Sequence, residues 1–172
     1  LALSLYDASI PVYLQMMRNL SAILDKAEAH AKANGADVAD YLQARLTADM
    51  HPLSRQIQMV SDAAKGGAAR LAGVAAPSMP DTETTWAELK ERLQKTIDFV
   101  ASIKPEQVEG DENRTVELPL PGRTMTFTAK DFLFNFGLPN FLFHVTTAYG
   151  LLRQQGVPLG KMDFLAGAQQ TA

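Results

Sequence analysis

The stretch Phe132-Leu-Phe-Asn-Phe-Gly137-Leu-Pro-Asn140-Phe-Leu-Phe-His144-Val-Thr-Thr147-Ala-Tyr-Gly-Leu-Leu152 runs for 21 residues without a formal charge. Its length alone admits a transmembrane helix, which needs about 20 apolar residues. Its polar groups argue the other way. Asn135, Asn140, His144, Thr146 and Thr147 would each need a partner inside lipid, and Pro139 interrupts the backbone ladder. The stretch is instead expected to be the central helix of a bundle, apolar nearly all round because it is enclosed. Thr128 and Asp131 form a loose capping box at its start. Gly137 to Pro139 is expected to disturb it, since proline lacks a donor and clashes with the preceding turn; the chain then restarts with Pro139 in a fresh first turn. Gly156 ends it.

Helical periodicity recurs on the N-terminal side of this stretch. From Ser9 to Asn34, the residues Tyr13, Met16, Met17, Leu20, Ile23, Leu24, Ala27 and Ala31 share one face, with Ser9 as N-cap and Gly35 as the stop. A short helix is expected from Val38 to Ala44, capped by Asp37. A second long helix is expected from Pro52 to Leu71, on the stripe Leu53, Ile57, Val60, Ala64, Ala68 and Leu71. Gly66 and Gly67 weaken it by propensity and suggest close backbone contact. A third starts at Thr85, where Thr85 and Glu88 form a capping box, and carries Trp86, Leu89, Leu93, Ile97, Val100 and Ile103. Alternating residues on either side of Pro121-Gly122-Arg123 predict a β-hairpin before the last long helix. Beyond Gly156 only a turn at Met162 to Leu165 is expected. The sum is an all-α fold, a four-helix bundle with one short hairpin, in a single domain over residues 1–172.

Composition removes several functions. There is no cysteine, hence no disulfide, no thiol nucleophile and no thiolate metal site. The net charge of −3, with no basic cluster, argues against nucleic-acid binding. No basic segment precedes an apolar core near the start, so no secretory signal is expected. These features suit a soluble cytoplasmic protein. No zinc-protease motif, phosphate-binding glycine loop or nucleophile elbow occurs.

Three histidines remain as carriers of chemistry. His144 lies one turn from Asn140, with Thr147 following on the same face, so a polar stripe runs along an otherwise apolar helix. Such a stripe meets a metal, a ligand, water or other side chains. His51 precedes Pro52 at the start of the second long helix. On the helical wheel it falls opposite Leu53, Ile57 and Val60, although the extended conformation usual before proline would free it from that projection. His30 sits among charged residues at a helix end and is adequately explained as a cap.

Four segments are similar to a known family: Asn19-Leu-Ser-Ala-Ile-Leu-Asp-Lys26, Asp49 to Gln58, Asp81-Thr-Glu-Thr-Thr-Trp-Ala-Glu-Leu89, and Leu138 to Tyr149. Across almost its whole length the chain resembles a bacterial and fungal family of unknown function within the DinB/YfiT-like metalloenzyme superfamily. That resemblance implies a four-helix bundle with a long crossover, a homodimer, and a divalent metal such as zinc or nickel held by three histidines. Carried over by motif, the metal positions fall on His51, Asn140 and His144, so an asparagine stands where a histidine is usual. Two functions are expected from this. One is a metal-dependent enzyme acting on a small molecule, with Tyr13 and Thr147 lining the cavity. The other is a non-enzymatic ligand-binding or structural bundle with a degenerate metal site.

Overall fold

Pro11 lies in the first turn of α1 (Ile10–Ala33), where its missing N–H costs nothing. The computed structural model describes residues 4–169. Ser9 stands at the N-cap position but caps nothing; its hydroxyl donates back to the Leu5 carbonyl at 2.6 Å, fixing the turn before the helix. A 3-10 helix over Val38–Gln43 follows, with the Asp37 carboxylate accepting from the Ala39 N–H. Then come α2 (Leu53–Ala72), stopped by left-handed Gly73, and α3 (Trp86–Ala101), entered through the expected Thr85–Glu88 capping box. A short α4 (Pro105–Val108) leads into the hairpin of β1 (Thr115–Leu120) and β2 (Arg123–Thr128), paired antiparallel with Leu120 opposite Arg123. Val116 and Leu118 on β1 are buried while Thr115, Glu117 and Pro119 are exposed, so the hairpin lies with one face against the helices.

The last long helix differs from its expected form. Thr128 accepts from the Asp131 N–H at 3.0 Å and opens α5 (Ala129–Phe132). A π-helical turn over Leu133–Gly137 then runs directly into α6 (Leu138–Gln154). The expected disturbance is a π-helical turn rather than a gap, and Pro139 falls in the first turn of α6 as expected. The wider turn carries the Leu138 N–H back to the Leu133 carbonyl, and Pro139 falls where no donor is required.

The C-terminal segment holds more than a turn. It forms α7 (Lys161–Ala166) and a 3-10 turn over Gly167–Gln169, both packed on α1. Buried Asn19 of α1 joins them: its amide donates to the Phe164 carbonyl at 2.9 Å and its oxygen accepts from the Ala168 N–H at 3.0 Å.

The fold is mostly helical with one small antiparallel hairpin. α2 packs against α3 on one side and α6 on the other, and α1 meets both α3 and α6. Tyr13, Met17, Leu20, Leu53, Ile57, Leu89, Phe132 and Phe141 fill the space between them. Among the described residues, no helix is long and apolar enough to cross a membrane.

Candidate functional site

Along the seam between α2 and α6 the sequence puts polar residues on stripes that are otherwise apolar. Gln56 falls within the Leu53–Ile57–Val60 stripe of α2, and His144 between Phe141 and Val145 on α6. Both are buried, and His144 Nδ1 lies 2.7 Å from Gln56 Oε1. The Gln56 amide nitrogen already donates to the His51 carbonyl at 3.2 Å, which directs its oxygen toward the imidazole. A carbonyl oxygen only accepts, so His144 carries its proton on Nδ1. Nε2 keeps a lone pair and has no hydrogen-bond partner among the described residues. Burial, followed by the nearby His51 and Arg55 charges, pushes the His144 pKa below its ordinary 6.5. The ring is thus neutral at pH 7.

A cavity of about 220 Å³ opens beside it, lined by both His144 and Asn140. The Asn140 amide makes no hydrogen bond to a described residue. Arg55, Asp62 and Arg70 of α2 bring charge to one wall, while Leu118, Phe132 and Phe136 make another apolar. Gly67 and Gly137 line it, and the hydroxyl of Tyr13 lies against both glycines without itself lining the cavity. A Cβ built on Gly67 would come 2.5 Å from that oxygen, and one on Gly137 3.0 Å. The two glycines therefore make the room that the phenol fills. Tyr13 is wholly buried, its hydroxyl has no partner among the described residues, and burial raises its pKa well above the ordinary value.

Most of the neighbouring charge is matched. Arg92 of α3, with 2% of its side chain exposed, pairs with Asp62, Asp81 and Glu83. Burial works against its cation, but the three carboxylates outweigh that and raise its pKa. Asp62 also meets Lys65 at 2.8 Å, and Arg55 pairs with Asp81. This network holds three cations and three carboxylates. Arg70 stands outside it. Its Nε donates to the Glu117 carbonyl of β1 at 3.2 Å, and no carboxylate among the described residues pairs with its guanidinium.

The expected site residues divide accordingly. His144 and Asn140 share the cavity, whereas Tyr13, expected to line it, lies behind Gly67 and Gly137 in the core. His51 lies outside α2 and is exposed, yet close enough for its charge to act on His144. Thr147 points elsewhere: it lines an apolar groove with Leu46, Met50, Leu142 and Phe143, and its hydroxyl donates to the Phe143 carbonyl at 2.7 Å. His30 sits at the end of α1, where its carbonyl accepts from the Asn34 amide at 2.8 Å. Among the described residues, no three His, Asp or Glu side chains form a group able to hold a metal ion. Sequence reasoning missed Gln56 and Arg70. A polar residue inside an apolar stripe was the available signal for Gln56; none existed for Arg70, whose position depends on how the hairpin packs.

Residues 5–165 match the family model described as a domain of unknown function, DUF1993. The chain belongs to this family. Among solved structures it is similar to a DinB family member protein from Shewanella denitrificans, with 38% sequence identity and a TM-score of 0.87 over 94% of this chain and 92% of that one. No curated protein matches. The expected relation to DinB-like proteins is thus shown, and the cavity belongs to a family without an assigned reaction.

Proposed function

We propose that this DinB-like protein binds a small molecule between α2 and α6, within a four-helix bundle with a long crossover. The observation that carries the reading is the Gln56–His144 bond, which fixes the imidazole tautomer and leaves Nε2 as a neutral acceptor beside a cavity. His144 Nε2 and the half-buried Asn140 amide, neither with a partner among the described residues, leave polar groups on the cavity wall for an occupant to meet.

The donor set does not fit a tightly held divalent ion. Structural and catalytic zinc sites take at least three strong protein donors. Here there are two imidazoles and a neutral amide, and Asp62, the carboxylate that lines the cavity, is engaged by Lys65 and Arg92. Zinc or nickel is therefore expected to bind weakly, through His144 before His51 or Asn140. The chemistry favoured at Nε2 is acceptance of a hydrogen bond or a proton from the ligand.

Nitrogen-15 NMR of the histidine rings tests the reading directly. The Nδ1–H tautomer is expected at His144, titrating below the ordinary value, together with resonance shifts at His144 when small molecules bind. An Nε2–H tautomer, or a screen in which no compound shifts His144, would defeat it. Metal titration of the parent and His144→Ala completes the test; zinc binding as strong in the variant as in the parent would remove His144 as a ligand. A cytoplasmic homodimer is part of the same reading, supported by the exposed apolar side chains Leu46 and Phe143 on one face. Sedimentation showing only monomer at micromolar concentration would remove that part.

A further inference from the structure

Arg70 and Tyr13 share one design. A Cβ on Gly66 would lie 2.7 Å from Arg70 Nη1, and one on Gly67 2.5 Å from the Tyr13 hydroxyl. The Gly66-Gly67 pair therefore clears space on a single turn of α2 for a guanidinium and a phenol. Both are donors. The guanidinium has no carboxylate partner among the described residues, and the phenol, wholly buried, has no hydrogen-bond partner there. With the adjacent ion network balanced, Arg70 leaves the cavity one positive charge in excess.

The other end of the cavity carries an acceptor, with the Asn140 amide lining the same space and the nearby Arg55 already paired with Asp81. His144 Nε2 is an acceptor held in place by Gln56. Gln56 and Gly66 are separated by ten residues of helix, or about 15 Å of rise. Arg70 and His144 thus meet the cavity well apart along α2, with Leu118, Phe132 and Phe136 supplying apolar wall.

We infer that the cavity takes an elongated organic monocarboxylate. Its carboxylate meets Arg70, its apolar body lies along Phe132 and Phe136, and a hydrogen-bond donor at its far end meets His144 Nε2. The inference rests on the binding role proposed above and adds the ligand class. Charge-assisted bonds from a guanidinium are the strong, orienting kind, so the carboxylate sets the direction of binding. The apolar wall distinguishes an organic acid from a bare anion, which would gain nothing from it.

Calorimetry on the full chain tests this with para-hydroxyphenylacetate, phenylacetate, para-hydroxyphenylacetamide and inorganic phosphate as probes, alongside the His144 resonance. The hydroxy acid is expected to bind at least ten-fold more tightly than its amide and more tightly than phenylacetate. Arg70→Gln is expected to abolish the preference for acid over amide. Gly66→Ala keeps the charge but places a methyl where Arg70 Nη1 lies, and is expected to weaken the acid without weakening the amide. Equal affinity for acid and amide, with His144 shifted by both, overturns the carboxylate assignment and leaves the binding role standing. A preference for acid that survives Arg70→Gln also overturns it, as does phosphate binding as tightly as the acid. No shift at His144 with any probe overturns both this inference and the binding role beneath it.

Discussion

The two seams of α2 treat their polar groups in opposite ways. Toward α3 nearly everything is satisfied. Arg92 meets three carboxylates, Gln58 bonds Arg55 and Glu83, and the Ser61 and Thr96 hydroxyls lie 2.6 Å apart; of α3's buried polar atoms, Arg92 Nε and Trp86 Nε1 are left over. Toward α6 more is left open. The Tyr13 hydroxyl, the Asn140 amide, His144 Nε2 and the Arg70 charge all lack partners among the described residues. Both seams belong to one helix with the same periodicity, so helix chemistry does not explain the contrast. One seam is built for stability, and the other holds unmet donors and acceptors around a cavity, the usual arrangement of a ligand site.

The comparison breaks most severely at Arg92. Arg92→Ala leaves Asp62, Asp81 and Glu83 facing one another, and is expected to cost about 3 kcal/mol, the lower end for a broken buried ion pair because two of the carboxylates are partly solvated. Urea unfolding measures this; a loss no larger than that of an ordinary surface substitution would show that the α3 seam is not structural.

The glycine pair comes next. By helix propensity either Gly→Ala change should stabilise by about 1 kcal/mol. At Gly67 the added methyl meets the Tyr13 ring and hydroxyl, which are locked in the core, and overpacking should reverse the sign to a loss of about 1–3 kcal/mol. At Gly66 it meets only the far end of Arg70, which can swing aside, so stability should hold or rise. Matching stability changes at the two positions, read from the same unfolding curves, would contradict the packing described.

Tyr13→Phe tests the α6 seam directly. Deleting a buried hydroxyl that has no partner should raise stability by about 1 kcal/mol. A stability loss of that size would reveal a partner for the hydroxyl.

The smallest effect is that of pH. His144 holds its proton less tightly folded than unfolded, so the unfolded chain binds more protons as pH falls through the ordinary value of 6.5. Its contribution is therefore complete above that value and declines as pH drops toward the depressed folded pKa. The decline should vanish in His144→Ala. Thermal melts across this range decide it, and an unchanged slope in the variant would assign the effect to other groups.

The sequence by itself determined the long helices, the capping box at Thr85, the hairpin and its turn, because periodicity, caps and turn residues act within a few positions along the chain. It also marked His144 and Asn140, since a polar residue on an apolar helix announces that something must meet it. Tertiary structure decided what each one meets. Gln56 lies 88 positions from His144, and only the packing of α2 on α6 makes it the partner that sets the imidazole tautomer. Distance in sequence likewise hid the contact of the Tyr13 hydroxyl with Gly67 and Gly137, and the bond from Arg70 to β1. The π-turn before Pro139 and the docking of α7 on Asn19 belong to the same class. They depend on which carbonyls and amides the assembled helices bring within hydrogen-bond reach, and local propensity does not encode that.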